Sequence, residues 1–191
     1  MAKNITDFAD YSIKNLKSFM GMEGYGFNVN LYRGKKKVAF VIDEGNGGMI
    51  NIDWLLNEQP LDWNDKKACD KWHNDKQEEM ERLEKHCATL PILDTSIPNF
   101  TLTVDCELFI SELVNKFEKE KDLIKMMKKC KTVTCFRPNN YTDGSYLVIG
   151  CPCDDKMRQQ LHTKYGDDVE IFNDVLAEGR KPSIFCEEEM A

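Results

Sequence analysis

The chain has 191 residues, 26 Lys and Arg against 33 Asp and Glu, a net charge of −7 and 41% apolar residues. That suits one domain of ordinary size or two small lobes, and 10% aromatic residues argue against a disordered chain. No apolar run approaches the ~18–20 residues of a membrane span, the opening MAKNITDFADYS lacks the basic-then-apolar layout of a signal peptide, and the acidic balance argues against broad, salt-driven nucleic-acid binding.

Seven of the eleven glycines lie between Gly21 and Gly48, and none lies between residues 49 and 143. A turn-rich N-terminal block followed by a helical stretch is therefore expected. A strand is predicted around Ser12–Ser18, with Ile13 and Leu16 imperfectly phased. Tyr25, Phe27, Val29 and Leu31 alternate with Gly26, Asn28, Asn30 and Tyr32, the period of a strand with one wet face. Arg33-Gly34-Lys35 is a short turn, after which Val38, Phe40 and Ile42 alternate with Lys37, Ala39 and Val41. Glu44-Gly45-Asn46-Gly47-Gly48 is a second turn, and Ile50, Ile52 and Trp54 form a fourth strand. This antiparallel meander occupies residues 1–56.

Residues 57–98 read as a charged helical connector between seams at Asn57–Pro60 and Pro91–Pro98. Residues 61–90 carry eight acidic and six basic side chains around a stripe of Ala68, Cys69, Trp72, Met80, Leu83, Cys87 and Leu90. Lys76 interrupts the stripe, and a kink near His73–Asp75 is expected. The alternating charges describe a solvated face laced with i,i+4 pairs rather than a DNA-mimicking surface.

Residues 99–191 read as an α-β-β-α-β block, making the whole chain α+β. Cys106, Ile110, Leu113, Phe117, Ile124 and Met127 form a helical stripe, with Asp105 as N-cap, cationic Lys128, Lys129 and Lys131 at the end and a break expected near Lys119–Lys121. Strands at Thr132–Phe136 and Ser145–Ile149 flank a loop of residues 138–144. A further helix starts at Asp154-Asp155 and stops at Gly166, followed by a short strand at Val169 and Ile171 and a frayed tail at Glu187–Glu189.

Eight cysteines without an export signal are expected to be reduced, mostly structural thiols. Cys130, Cys135, Cys151 and Cys153 flank the predicted hairpin. If it closes around residues 139–142, Cys130 lies opposite Cys151, and Cys135 sits about 16 Å along the strand from Cys130. All four then cannot share one tetrahedral zinc. A set of Cys130, Cys151 and Cys153 with His162 is set against plain core or loop thiols, and no cofactor is expected. Cys69 and His73 share a helix face but supply only two ligands, and His86 is about 20 Å farther along the helix. Asp43, Glu44 and Asp53 are the acidic cluster of the sheet, but Asp43 and Asp53 are about 10 Å apart by pairing, too far for one metal. Gly21-Met22-Glu23-Gly24-Tyr25-Gly26 precedes a strand, whereas a dinucleotide fingerprint follows one. No phosphate-binding loop and no nucleophile elbow is present.

Two segments are candidate contact surfaces. Met22, Glu23 and Tyr25 lie in the glycine-rich loop, where glycines permit close backbone approach; the alternative is a bend tucking Phe19 and Tyr25 into the core. Tyr32, Arg33, Lys35, Lys36 and Lys37 put four cations and an aromatic at a hairpin tip, either a solubilising loop or a contact for phosphate or an acidic partner.

The stretch Lys14-Asn15-Leu16-Lys17-Ser18-Phe19, Met22-Glu23-Gly24-Tyr25-Gly26-Phe27-Asn28, then Lys37–Asp43 and Gly47-Gly48, resembles uncharacterised small proteins of bacteriophages, prophages and plasmids. Lys164-Tyr165-Gly166 followed by Val169–Val175 is similar to their C-terminal ends. The resemblance implies an accessory protein acting in the bacterial host cytoplasm on a host or defence-system protein, with no assigned catalytic residues to carry over. A non-enzymatic protein-binding role is thus the leading expectation. A small-nucleotide or nucleic-acid binder and a metal-dependent enzyme or structural zinc protein are the alternatives.

Overall fold

The alternating N-terminal residues form four antiparallel strands in meander order: β1 (Tyr11–Met20), β2 (Tyr25–Arg33), β3 (Lys36–Asp43) and β4 (Asn51–Trp54). The structure is a computed structural model that describes residue 5 and residues 7–55, 58–94, 101–141 and 145–186. It is α+β, and it divides into two compact units between Phe117 and Glu118.

Two irregularities set which faces are buried. In β1 the register shifts between Lys14 and Lys17, and Asn15 takes a φ of 60°, a conformation that asparagine tolerates. This bulge explains the imperfect phasing of Ile13, which is buried, and Leu16, which is half-buried. In β3, Leu31 pairs with Ala39 while Tyr32 pairs with Lys37, so Val38 is the extra residue. Val38 and Ala39 are both buried, and beyond them Val41 faces the core while Phe40 and Ile42 are half-exposed. The alternation of Val38, Phe40 and Ile42 is therefore broken after Val38, because one inserted residue reverses the phase of every residue that follows.

The sheet's apolar face packs within the first unit against α1 (Lys66–Thr89) and the first half of α2 (Cys106–Lys129). Asp65 caps α1 by accepting from the Ala68 N–H at 3.1 Å. The helix passes His73–Asp75 uninterrupted and buries Trp72, Glu79, Leu83 and Cys87. Lys76 does not break the stripe, since its ammonium lies over the Trp72 ring at 5.4 Å. The Trp72 indole N–H donates to the Leu55 carbonyl at 3.1 Å, fixing α1 to the end of the sheet. A short pair, β5 (Leu93–Asp94) with β6 (Thr101–Leu102), leads into α2; residues 95–100, including half of the expected Pro91–Pro98 seam, lie outside the described residues.

Asp105 accepts from the Leu108 N–H at 2.8 Å, the expected cap of α2. Phe109, Ile110, Leu113 and Val114 are buried in the first unit. The helix runs through Lys119–Lys121 without the expected break. Past Phe117 the expected stripe does not hold: Ile124 and Met127 are 53% and 48% exposed, and Met126 is buried instead, in the core of the second unit.

The second unit holds a three-stranded sheet of order β8-β7-β9, with β7 (Thr134–Arg137) central between β8 (Leu147–Ile149) and β9 (Glu170–Ile171), both antiparallel to it. Asp154 caps α3 (Asp155–Tyr165) by accepting from the Met157 N–H at 2.8 Å, and Gly166 ends it at a φ of 88°. A six-residue helix, α4 (Phe172–Ala177), and a short 3-10 turn at Ser183–Phe185 were not anticipated. Asn173 of α4 donates to the Cys130 and Val133 carbonyls and accepts from the Cys135 N–H, at 2.8–2.9 Å. Residues 142–144 of the hairpin loop and the tail Glu187–Glu189 lie outside the described residues. Among the described residues, no helix is long and apolar enough to cross a membrane.

Candidate functional site

At one end of the four-stranded sheet, the β1–β2 turn and the β3–β4 turn are built into each other. The Gly21 N–H donates to the Gly24 carbonyl at 2.7 Å, closing the first turn, and the Glu23 N–H donates to the Gly45 carbonyl at 2.9 Å, joining it to the second. The second turn is held by its own side chains: Asp43 accepts from the Gly45 N–H at 2.8 Å, and Asn46 accepts from the Gly48 N–H at 3.0 Å. The join requires glycine. A Cβ at Gly21 would lie 2.4 Å from the Glu44 carbonyl oxygen, and one at Gly45, itself at a φ of 63°, would lie 2.7 Å from that of Gly24.

This main-chain base carries apolar side chains that are exposed among the described residues. Met22 is 95% exposed, Met49 86%, Tyr25 78% and Met20 67%. Met20 and Tyr25 are directly paired across β1 and β2, so they share a face, while Phe19 lies against Gly26 on the other. Glu23 and Glu44 are exposed beside them. Tyr25 is thus not tucked into the core, which corrects the alternative reading of this segment.

The eight expected contact residues fall into two groups at opposite ends of β2. Met22, Glu23 and Tyr25 lie at the glycine-rich end, and Tyr32, Arg33, Lys35, Lys36 and Lys37 lie about 26 Å away, counting ~3.3 Å per residue. The basic turn is largely engaged within the fold. Arg33 donates from Nε to Glu79 Oε2 at 3.0 Å and from Nη2 to Oε1, and Nη1 lies 4.0 Å from Asp10. The Arg33 guanidinium holds the Glu79 carboxyl below its usual range, against the opposing effect of burial. Lys36 pairs with Glu58 at 3.1 Å, Lys14 lies over the Tyr32 ring at 4.4 Å, and Lys37 lies over Phe40 at 5.6 Å. Nearby, burial and then Glu79 push the Tyr11 phenol up to about 12.

The hairpin cysteines are arranged differently from the expectation. β7 and β8 pair Thr134 with Ile149, two positions out of the register that would set Cys130 opposite Cys151. The longer loop causes this: Pro138 accepts from the Tyr141 N–H, and Arg137 donates to the Tyr141 carbonyl. Cys130 is not on a strand. The chain turns after α2 through bonds from Lys131, Thr132 and Val133 back to Lys128 and Lys129, which brings the Cys130 thiol beside that of Cys135. The expected separation of about 16 Å along an extended strand is therefore wrong. Cys153 lies near this pair, whereas His162 faces Asp167 at 3.9 Å. All eight cysteines are unpaired, and among the described residues no three His, Cys, Asp or Glu side chains are placed to hold a metal ion.

The remaining motifs have local roles. Glu44 accepts from Asn46 at 3.0 Å, and Asp53, opposite Phe40, lies on the other face of the sheet from Asp43, opposite Phe27. The Cys69 thiol donates to the Trp63 carbonyl, and the His73 ring lies tilted against Trp72, with centroids 4.9 Å apart. Sequence reading missed the exposed Met49, which follows Gly47, whose Cβ position lies 2.5 Å from Glu23 Oε2 where the two turns meet. The signal available was Asn46-Gly47-Gly48 directly before it. No protein-family model matches this chain, and neither a curated protein nor a solved structure matches it.

Proposed function

We propose that this chain is a non-enzymatic, phage-type accessory protein that binds a host or defence-system protein in the bacterial cytoplasm, and that the joined β1–β2 and β3–β4 turns are its contact surface. The observation that carries the reading is the exposure of Met20, Met22, Tyr25 and Met49 together on a glycine-locked base. Large apolar side chains grouped on a folded surface mark interaction sites. Tyrosine and methionine are enriched in interface cores, and methionine adapts to irregular partners. The resemblance to mobile-element proteins supports the class of partner. The nucleotide-binding alternative draws less support, since Arg33, its best phosphate ligand, is already held by Glu79.

The test is affinity capture from a bacterial lysate with the wild type and with Tyr25→Ala, Met22→Ser and Glu23→Arg. Loss of a specific captured protein, at an unchanged melting temperature, supports the surface. Retention by all three variants, with loss on changing Lys35 and Lys37 to Glu, moves the site to the basic turn.

A further inference from the structure

We propose that the open face of the four-stranded sheet binds single-stranded nucleic acid, a second ligand beyond the protein partner proposed above and on the side of the sheet away from Met20 and Tyr25. Strand pairing fixes which side chains share this face. Tyr32 stands opposite Ser12 and Lys37, Asn30 opposite Lys14 and Phe40, Asn28 opposite Lys17 and Ile42, and Gly26 opposite Phe19. Asp53 and Asn51 of β4 extend the rows of Phe40 and Ile42. The intervening residues of β2, Phe27, Val29 and Leu31, point the other way into the core. Apart from Gly26, every residue of the open face is exposed or half-buried.

Rings and cations interleave on this face. The Lys14 ammonium lies 4.4 Å from the centre of the Tyr32 ring, and that of Lys37 lies 5.6 Å from the centre of Phe40. Tyr32 and Phe40 are diagonal neighbours on adjacent strands, about 7–8 Å apart. Phe19, 39% exposed, lies over Gly26, where a Cβ would come within 2.6 Å of its ring. Single strands are held by these two elements together: bases stack on rings, and phosphates meet cations. An ammonium over a ring keeps its charge, so Lys14 and Lys37 still attract phosphate. The amides of Asn28, Asn30 and Asn51 offer donors and acceptors to base edges. Charge complementarity selects a polyanion, since Lys14, Lys17 and Lys37 share the face with one carboxylate, Asp53. Arg33 and Lys36, paired with each other across the strands, belong to the opposite side, where Glu79 and Glu58 hold them. The chain's net charge of −7 therefore lies elsewhere and keeps the affinity modest.

The experiment measures fluorescence anisotropy of labelled oligo(dT) and oligo(U) of about 12 nucleotides, with a duplex of equal length, against the whole chain. Both single strands are expected to bind with a Kd of roughly 1–100 µM at moderate salt, and the duplex more weakly. Three cations give a slope of log affinity on log salt of about −2, so a fourfold rise in salt weakens binding about twentyfold. Tyr32→Ala and Phe40→Ala should each weaken binding about tenfold. Lys17→Glu combined with Lys37→Glu should abolish the salt dependence along with most of the binding. Asp53→Lys should tighten binding and steepen the slope by about 0.7, a gain that misfolding cannot produce. Lys85→Glu, on α1 across the sheet, should change neither. Should an aromatic variant fail to fold, the lysine reversals and Asp53→Lys decide. No anisotropy change with either strand, a duplex bound as tightly as the single strands, displacement by polyglutamate as readily as by unlabelled oligonucleotide, or a salt slope untouched by the lysine reversals overturns the proposal.

Discussion

Gly21→Ala is the sharpest probe of the joined turns. The new Cβ would meet the Glu44 carbonyl oxygen at 2.4 Å and the oxygen and carbon of the Gly45 carbonyl at 2.5 and 2.8 Å, where ordinary contact begins at 3.4 Å. All three atoms are main chain, so no rotamer change relieves the clash, and the turns must separate by about 1 Å. Forced backbone shifts of this kind cost roughly 1–3 kcal/mol, and loss of the hydrogen bond from Glu23 to Gly45 adds about 1 kcal/mol. The expected total is about 2–4 kcal/mol. Gly24→Ala, three residues along at the other end of the same turn, is the matched control: nothing lies within 4 Å of its Cβ position. It should be neutral or stabilising by about 0.5 kcal/mol, through a less flexible unfolded chain. Urea unfolding at a common slope reads the difference, and hydrogen exchange of the Glu23 amide reads the join itself. Equal stability of the two variants within about 0.5 kcal/mol, with unchanged exchange at Glu23, would refute the close-packed join.

Arg33→Met leaves the Glu79 carboxylate buried without its partner and should cost about 3 kcal/mol in chemical unfolding. The same pair carries a pH signature: its contribution is complete above the ordinary glutamate value of 4.5 and fades as pH falls through the lowered folded-state value. Glu79→Gln therefore shows a shallower loss of melting temperature below pH 4.5 than the wild type. Asn173→Ala removes three hydrogen bonds and should lower stability by about 3 kcal/mol, at about 1 kcal/mol each. In denaturant without reductant, all eight thiols should react with a chromogenic disulfide reagent; three or four protected pairs would contradict the unpaired state.

Local signals in the sequence had single structural solutions where one residue type was needed at one place. Asp105, Asp154 and Gly166 mark helix ends because their side chains, or the lack of one, act within a turn of their own position. The glycine clusters marked the hairpins for the same reason. The buried face of β3 was not legible, since alternation shows a period and not which phase meets the helices, and the bulge at Val38 reverses that phase. Ile124 and Met127 continue an apolar period that α2 does not use, because the core past Phe117 is a different one. At the candidate site, the loop of Met22, Glu23 and Tyr25 could be named from its composition. Its union with the turn after Asp43, and the capture of Arg33 by Glu79 across 46 positions, are long-range contacts with no local mark.

The border strand β1 carries a consequence for the protein at high concentration. A sheet's outermost strand offers amide and carbonyl groups that a second chain could extend into a continuous ribbon. Along β1 that offer is interrupted in the middle: Asn15 turns the backbone out of the ladder, and exposed Lys14 and Lys17 stand on either side of it. Two copies approaching edge to edge in antiparallel sense would set like charges against each other and meet a kinked strand, so neither register nor sign favours growth. Colloidal dispersal is thus written into the same bulge that lets Ile13 reach the core and Leu16 pack against it.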